Sequence, residues 1–372
     1  MSKRRTHLDD YKKKNKQKVF NTILEHGQIS RINIAKETSL SSAAVTLIVD
    51  ELIKHQYIKE TGVKSLTGGR AQTMLAVNEN LGKNITFYLG KDFIIAGKVN
   101  AFIDLEDITT HDVHNQTMEE QLRLMSNIYQ SWKKENIFSI SIGVYNPNEF
   151  LESRVSISTS ISTDFVSIRD ALKFIFDVPV SVDRFVNLAA IGESGNIFST
   201  ETVCYLNLQH EIQMGSFPFI AQEHIAHMKI ADLDIVCTCG KKGCLDTIVS
   251  SEKILKKVKD KTKDFSLNWG TISKAYNSGN IVISEIIDES ARYLGKGIVN
   301  IATILNPNRC ILGGDIYHLG KKFEEKVNEP VVDYGFYEMR NMKVGVSPFD
   351  KQNVLIGGAK NSLLNLFLKS EN

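Results

Sequence analysis

The pattern of apolar and polar positions in the first eighty residues has the period of short helices. An apolar stretch over residues 19–24 ends at a break over residues 26–29. Ser30 can cap a following short helix over residues 34–38, because a serine hydroxyl accepts a hydrogen bond from a free N–H at a helix start. Residues 39–40 form the next turn. The pattern therefore predicts a helix, a break and a second helix.

A further helix is predicted over residues 42–53, with Ser41 at its N-cap position. Its apolar residues recur at intervals of three and four, at Val45, Ile48, Val49 and Leu52. The exposed face carries small and hydroxyl side chains, at Ser42, Ala43 and Thr46. Such a face can approach a DNA major groove closely, so this segment is predicted to be a recognition helix.

Two strands at residues 57–60 and 73–77 are predicted after this helix, with a loop over residues 64–69. The pair forms a wing with Arg70 near its tip, and an arginine there can enter the narrow minor groove of A/T-rich DNA. Helix, turn, helix and basic wing together favour a DNA-binding module. A small protein-binding helical module is the alternative.

From residue 82 onward, strand-like runs alternate with amphipathic helical stretches. The strand-like runs lie at residues 85–89, 94–99, 137–142 and 203–208, and the helical stretches at 118–134, 166–177 and 282–305. This alternation predicts an α/β body with helices on both sheet faces. The pairs Gly313-Gly314 and Gly357-Gly358 each follow an apolar strand-like run, where glycine lets the backbone approach a ligand or a helix closely.

Composition and charge narrow the class of protein. The chain has 372 residues, of which 42% are hydrophobic, and no apolar run reaches the roughly 18 to 20 residues of a membrane span. We therefore expect a cytoplasmic protein, with Cys204 and Cys310 as buried thiols. Residues 1–80 hold 14 Lys and Arg against 8 Asp and Glu, and the remainder holds 31 against 35. The basic end suits a polyanion such as DNA.

Three cysteines in one short stretch predict a metal site. Cys237, Cys239 and Cys244 follow His227 by ten residues or more, and three thiolates with one imidazole suit Zn²⁺. Four protein ligands leave no open position, so the zinc is predicted to be structural. Reduced thiols packed in a core and a metal-sensing role are the alternatives.

Several motifs together resemble one family. They are Ser30-Arg31, Leu40-Ser41, Gly69-Arg70, the His227 and cysteine cluster, Gly297-x2-Asn300-x5-Asn306-Pro307 and Ile311-Leu312-Gly313-Gly314. The chain thus resembles the ROK family of repressors and sugar kinases, in its xylose-repressor and glucose-repressor branch. The resemblance implies a winged helix-turn-helix domain over residues 1–80. It also implies an actin-like, ribonuclease-H-like body over residues 81–372, with lobe one at about 81–190 plus the C-terminal helix and lobe two at about 191–355.

Departures from the family pattern indicate a body without kinase chemistry. Phe185, after Arg184, stands where the kinases have the aspartate general base, and phenylalanine cannot accept a proton. His224 and Asp246 replace two sugar-binding glutamates of the family. The phosphate loops, at residues 88–92 and 211–213, lack most of the family's glycines and its aspartate.

The sequence as a whole predicts a DNA-binding transcriptional regulator, a repressor of carbohydrate-utilisation genes, that acts as a homodimer or tetramer on an inverted repeat. Ser42, Ala43 and Thr46 would face base edges, and Ser30, Arg31, Ser41 and Arg70 would hold phosphates or the minor groove. An ATP-dependent ROK sugar kinase with an atypical active site is the alternative.

A residual effector pocket is predicted in the body. Arg184, His224, His227 and Asp246 would line it, and an arginine beside a histidine would favour a sugar phosphate over a neutral sugar. The alternative is that Arg184 and His224 simply fill the vacated site.

Overall fold

The chain forms two compact units. The computed structural model describes residues 2–65, 72–158, 163–195, 201–219, 224–336 and 342–369. The first unit holds Met1–Arg184, Gly195–Ser199 and Leu355–Asn372, and the second holds Phe185–Ser194 and Thr200–Val354.

The first unit begins with a helical module that carries a small antiparallel sheet of order β1-β3-β2. Its elements are α1 (Ser2–His26), β1 (Ile29–Ser30), α2 (Arg31–Thr38), α3 (Ser42–Lys54), β2 (Ile58–Ser65) and β3 (Gln72–Val77). The helix, turn, helix and two-stranded wing predicted from the sequence are therefore present. The first helix is much longer than predicted.

Serine caps define where the two short helices begin. The Ser30 hydroxyl accepts a hydrogen bond from the N–H of Asn33 at 3.3 Å, and the Ser41 hydroxyl accepts one from Ala44 at 3.2 Å. Ser39, with φ of 56°, ends α2 in the left-handed conformation. Both predicted caps are confirmed.

The module has its own apolar core. Val45, Val49 and Leu52 of α3 are buried in it together with side chains from α1, α2 and the sheet, among them Phe20, Ile23, Ile34, Ile58 and Leu75. This core fixes α3 by one face and leaves its other face exposed.

The rest of the first unit is built on a five-stranded sheet of order β10-β7-β4-β5-β6. Its elements are a 3₁₀ turn (Glu79–Leu81), β4 (Lys83–Leu89), β5 (Phe93–Val99), β6 (Leu105–Asp112), α4 (Met118–Trp132), β7 (Ile137–Val144), α5 (Pro147–Glu152), β8 (Arg154–Ser158), β9 (Thr163–Ser167), α6 (Ile168–Ile175) and β10 (Val180–Arg184). Strands β4, β7 and β10 are parallel, and β4, β5 and β6 are antiparallel. Apolar side chains of this sheet pack with α4 and α6 in a second core.

The second unit has a four-stranded sheet of order β12-β11-β13-β14, in which β11, β13 and β14 are parallel. Its elements are α7 (Phe185–Glu193), β11 (Val203–Leu208), β12 (Ile212–Phe217), a 3₁₀ turn (Ile225–His227), α8 (Asp246–Val249), α9 (Ser251–Thr262), α10 (Trp269–Asn277), α11 (Ile281–Leu305), β13 (Arg309–Gly313), a 3₁₀ turn (Asp315–Leu319), α12 (Gly320–Tyr334) and β14 (Lys343–Val346). Cys204 and Cys310 pair across β11 and β13 as buried free thiols, as predicted.

The second glycine pair corrects the sequence prediction. Gly357 and Gly358 do not follow a strand but lie inside the closing helix α13 (Gln352–Lys369). A Cβ at Gly358 would lie 2.2 Å from Oγ1 of Thr86 on β4, and the Ser141 hydroxyl donates to the carbonyl of Gly358 at 2.8 Å. Glycine is therefore needed because this helix lies directly on the sheet.

The helix predicted at residues 166–177 is α6, which is shorter than predicted. The first predicted residues belong to β9, and Ser167 caps the helix.

Among the described residues, no helix has the length and apolar character that crossing a membrane requires.

Candidate nucleic-acid interface and metal centre

The exposed face of α3 is the first candidate site. The side chains exposed along it are Ser42, Ala43, Thr46, Leu47, Asp50 and Lys54. Ser42, Ala43 and Thr46, which were predicted to face base edges, therefore lie on one surface. Thr46 follows Ser42 by four residues and Ala43 by three, which are the spacings of neighbours on a helix face. Leu47 and Asp50 were not predicted. The signal for Leu47 was its position off the stripe formed by Val45, Ile48 and Val49.

The hydroxyl of Thr46 already makes one hydrogen bond within the helix. Its Oγ1 donates to the carbonyl oxygen of Ser42 at 2.9 Å. A hydroxyl has one donor and two acceptor positions, so Thr46 keeps its capacity to accept.

Arg31 lies between two carboxylates. Its guanidinium contacts Asp50 Oδ1 of α3 at 3.1 Å and Glu60 Oε1 of β2 at 3.0 Å. These ion pairs connect the start of α2 with the recognition helix and the wing. The prediction that Arg31 holds a phosphate must therefore account for two competing carboxylates.

Ser30 is corrected by the structure. It is only 1% exposed, and its hydroxyl faces the N-terminus of α2. Its side chain thus serves as a buried cap and is not available to a phosphate. Ser41 also caps a helix but is exposed, and Arg70 lies outside the described residues.

The winged module carries exposed lysines. Lys12 and Lys14 of α1, Lys36 of α2 and Lys54 of α3 are exposed. Lys18 is held differently, since its ammonium group donates to the carbonyl of Thr38 at 2.7 Å. The module therefore presents several lysines that a polyanion could reach.

The second candidate site is a cluster of one histidine and three cysteines. The ligand atoms of His227, Cys237, Cys239 and Cys244 all lie within 4.8 Å of one another. Cys237 Sγ is 3.4 Å from His227 Nδ1, and Cys239 Sγ is 3.6 Å from Cys244 Sγ. This arrangement could hold a metal ion, as the spacing predicted.

Backbone geometry brings the four donors together. Gly240 and Gly243 have φ of 81° and 76°, in the region that favours glycine. A Cβ at Gly243 would lie 1.9 Å from the carbonyl oxygen of Ala231, so the loop closes too tightly for another residue. An isolated bridge between Lys229 and Cys244 joins the histidine segment to the last cysteine.

The thiols of the cluster differ in environment. Burial raises the pKa of Cys244, whereas the backbone N–H of Lys241 lowers the pKa of the exposed Cys239. Metal binding requires thiolates, so an ion would supply the positive charge that the buried Cys244 needs in order to lose its proton.

The predicted effector residues do not fall into one unit. Arg184 ends β10 in the first unit, whereas His224, His227 and Asp246 lie in the second. The rings of His224 and His227 are stacked, with centroids 6.4 Å apart. His224 is exposed.

Asp246 has a structural partner. It is 6% exposed, and its Oδ1 accepts a hydrogen bond from the N–H of Ile212 at 2.9 Å. Burial raises the pKa of its carboxyl group. Asp246 therefore joins the start of α8 to β12, and only part of its hydrogen-bonding capacity could serve a ligand.

The residue that the family resemblance aligns with the kinase general base is apolar. Phe185, the first residue of α7, is 5% exposed. A buried phenyl ring neither removes a proton nor coordinates an ion, so the missing carboxylate is not replaced at this position.

A winged helix-turn-helix module followed by an α/β body with a His-Cys₃ cluster defines a class of protein that combines a DNA-binding domain with a sugar-kinase-like body. Residues 92–360 match the ROK family profile, and the chain belongs to this family.

Two further comparisons cover most of the chain. It is 28% identical over 376 residues to the xylose repressor of Caldicellulosiruptor bescii, across 92% of this chain and 94% of that protein. The crystal structure of a ROK family transcriptional regulator, described as a homolog of the E. coli MLC protein, matches with a TM-score of 0.76 at 22% identity, over 96% of this chain and 98% of that one. The fold class predicted from the sequence, including its ROK body, is confirmed.

A kinase structure matches a smaller share of this chain. The ROK hexokinase of Thermus thermophilus matches with a TM-score of 0.63 at 18% identity, over 77% of this chain and 100% of the hexokinase. This chain is therefore longer than the fold that it shares with the kinase.

Proposed function

We propose that the protein is a DNA-binding transcriptional regulator that represses carbohydrate-utilisation genes. The observation that carries the proposal is the face of α3, which is held by its core side and presents Ser42, Ala43 and Thr46 to solvent. The likeness to a xylose repressor over almost the whole chain supports it. A cytoplasmic location, with access to DNA, is part of the proposal.

The roles of the interface residues divide into readout and positioning. Ser42, Ala43 and Thr46 face base edges in the major groove, and Ser41 together with the exposed lysines holds phosphates. Arg70 enters the minor groove. A homodimer, or a tetramer of paired dimers, sets two recognition helices on the half-sites of an inverted repeat.

The proposed role of Arg31 is to position the recognition helix and the wing, and this differs from the role predicted from the sequence. Because it contacts Asp50 and Glu60, it holds the recognition helix against the wing and does not itself neutralise a phosphate. Exposed ion pairs of this kind contribute little to overall stability, so the role concerns geometry.

The His-Cys₃ cluster is proposed to hold a structural Zn²⁺. In a tetrahedral zinc site with Zn–S near 2.3 Å, two sulfur atoms lie about 3.8 Å apart and a sulfur and a nitrogen about 3.5 Å apart. The 3.6 Å between Cys239 and Cys244 and the 3.4 Å between Cys237 and His227 fit these values. When bound, the ion crosslinks the loop that precedes α8.

Chelation separates a structural ion from a sensing one. Loss of the folded second unit, followed by circular dichroism and thermal unfolding, supports the structural role. Release of DNA with the fold intact would instead assign the cluster to metal sensing.

The second unit is proposed to bind a sugar or a sugar phosphate as effector, with His224, His227 and Asp246 as candidate ligand residues, and Arg184 is a separate candidate in the first unit. The hydrogen bond of Asp246 to Ile212 leaves only part of its carboxylate available to a ligand. A thermal-shift screen of sugars and sugar phosphates, with and without bound DNA, tests this part. An effector raises the unfolding midpoint and changes DNA affinity, because it binds one state more tightly than the other.

Kinase activity is the competing function, supported by the body fold shared with the hexokinase. The buried Phe185 argues against it, because the general base is absent. Incubation with a panel of hexoses and Mg-ATP decides the matter, since sugar phosphate formed above background would assign catalysis to this chain.

The central experiment compares two matched threonines. Thr46 and Thr303 are both exposed on helices and both donate to the carbonyl four residues earlier, at 2.9 and 2.8 Å. We expect Thr46→Asp to abolish binding to a duplex selected from a randomised pool, because it places a carboxylate in the groove. Thr303→Asp, outside the winged module, should bind as the wild type does.

Fluorescence anisotropy measures the affinity, and thermal unfolding and sedimentation show that both variants keep their fold and oligomeric state. Equal binding by the Thr46→Asp variant would remove α3 from the interface.

A further inference from the structure

Leu47 is the largest apolar side chain on the exposed face of α3. It is 72% exposed, whereas its apolar neighbours Val45 and Val49 are fully buried. Single exposed leucines are common on protein surfaces, so exposure alone assigns no role. What distinguishes Leu47 is its place on a helix face whose other central residues, Ala43 and Thr46, are small.

This difference in size determines which side chain reaches furthest. Alanine and threonine let the helix backbone come close to a partner, and leucine, with its longer isobutyl side chain, then extends beyond them. The Ser41 cap and the buried face hold the helix in place, so the backbone position of Leu47 relative to Thr46 is fixed.

Resting on the proposed DNA-binding function, we propose that Leu47 determines operator specificity by contacting the 5-methyl group of thymine in the major groove. Thymine presents a methyl group there beside its O4 acceptor, and the other three bases present no methyl group. Leucine cannot satisfy a polar edge, and covering one without a hydrogen bond is unfavourable. A thymine methyl group is thus the base feature that Leu47 fits.

The test removes the methyl group from the DNA and the leucine from the protein. Full-length protein first selects a duplex from a randomised pool, and each thymine of that duplex is then replaced in turn by deoxyuridine. This replacement deletes one methyl group and keeps the base pair. We expect wild-type binding to weaken about fourfold at one thymine in each half-site, which is the effect of one buried methyl-sized group.

Leu47→Ala is expected to bind the original duplex more weakly and to lose its response to deoxyuridine at that same thymine. At that position, cytosine should bind worse than thymine to the wild type, and 5-methylcytosine should recover part of the loss. Ile304→Ala is the matched control, because Ile304 is 77% exposed on α11 outside the winged module. It should bind both duplexes as the wild type does.

The outcomes separate this inference from the function on which it rests. If no duplex is enriched from the pool, the proposed DNA binding fails and the inference fails with it. If a duplex is enriched but deoxyuridine has no effect at any thymine, or if Leu47→Ala keeps the full response, DNA binding stands and the role of Leu47 is overturned. Thermal unfolding of the Leu47→Ala protein shows that the loss concerns the interface, since an exposed side chain contributes little to the core.

Discussion

The winged module and the His-Cys₃ cluster are both candidate functional sites, but they are completed in different ways. The four donors of the cluster converge within 4.8 Å, so the chain itself supplies everything except the ion. The exposed face of α3 points away from its own core, so a partner must supply the other half. The His-Cys₃ cluster is thus defined by contacts within the chain, and the face of α3 by side chains that the chain leaves exposed.

This difference has a physical consequence for each site. In the cluster, burial opposes thiolate formation at Cys244 unless an ion is present, so fold and ligand are linked. In the winged module, the caps at Ser30 and Ser41 and an apolar core hold α3 in place without any ligand. We therefore expect the second unit to depend on its ligand for stability and the winged module to use a preformed surface.

The largest effect is expected for Cys244→Ser. Serine is a poor zinc ligand, so the variant should lose its bound metal and unfold more than about 5 °C below the wild type. Metal content after gel filtration and thermal unfolding measure the two effects. Cys204→Ala, a buried thiol outside the cluster, should keep its metal. Undiminished metal in the Cys244→Ser protein would show that the cluster is not the site.

A smaller effect is expected from removing one helix cap in each unit. Ser41 accepts from the N–H of Ala44, and Asn268 accepts from the N–H of Thr271 at 3.0 Å at the start of α10. Ser41→Ala and Asn268→Ala should each lower the free energy of unfolding by about 1 kcal/mol. Only Ser41→Ala should also weaken DNA binding, because it loosens the first turn of the recognition helix and removes a hydroxyl proposed to hold a phosphate.

Denaturant titration and fluorescence anisotropy check this pair of variants. If Asn268→Ala weakened DNA binding as much as Ser41→Ala did, the loss would follow general stability, and the preformed surface of α3 would not explain the binding.

Both sites could be predicted from the sequence for the same reason. The spacing of His227 and the three cysteines was sufficient because all four donors lie close together along the chain. The face of α3 was also predictable, since helix periodicity places Ser42, Ala43 and Thr46 opposite the apolar stripe. These features are local, and local patterns are what a single sequence records well.

Contacts between distant residues were the part that could not be predicted. The burial of Ser30, the hydrogen bond of Asp246 to Ile212 and the placement of Gly358 against Thr86 depend on elements that are far apart in sequence. The exposed Leu47 was missed for another reason. Leucine is usually a core residue, and only its angular position on the helix showed that it faces outward.

The smallest effect is expected at Arg31, where prediction and structure differ. The sequence predicted that it holds a phosphate or the minor groove, whereas the structure places it against Asp50 and Glu60. Arg31→Ala should lower the free energy of unfolding by less than about 1 kcal/mol, because exposed ion pairs contribute little to stability. If Arg31 stays paired in the complex, the dependence of DNA affinity on salt should not change, because no phosphate contact is lost.

Releasing Arg31 from its partners should reverse this behaviour. In an Asp50→Asn, Glu60→Gln double variant the guanidinium is free, so the slope of log affinity against log salt should steepen by about 0.9, the value for one added phosphate contact. Adding Arg31→Ala to that background should remove the increase. Anisotropy titrations over a salt series measure all four proteins. A slope that flattens by about 0.9 for Arg31→Ala alone would show that Arg31 leaves its carboxylates for the DNA backbone, and the winged surface would then be rearranged by its partner.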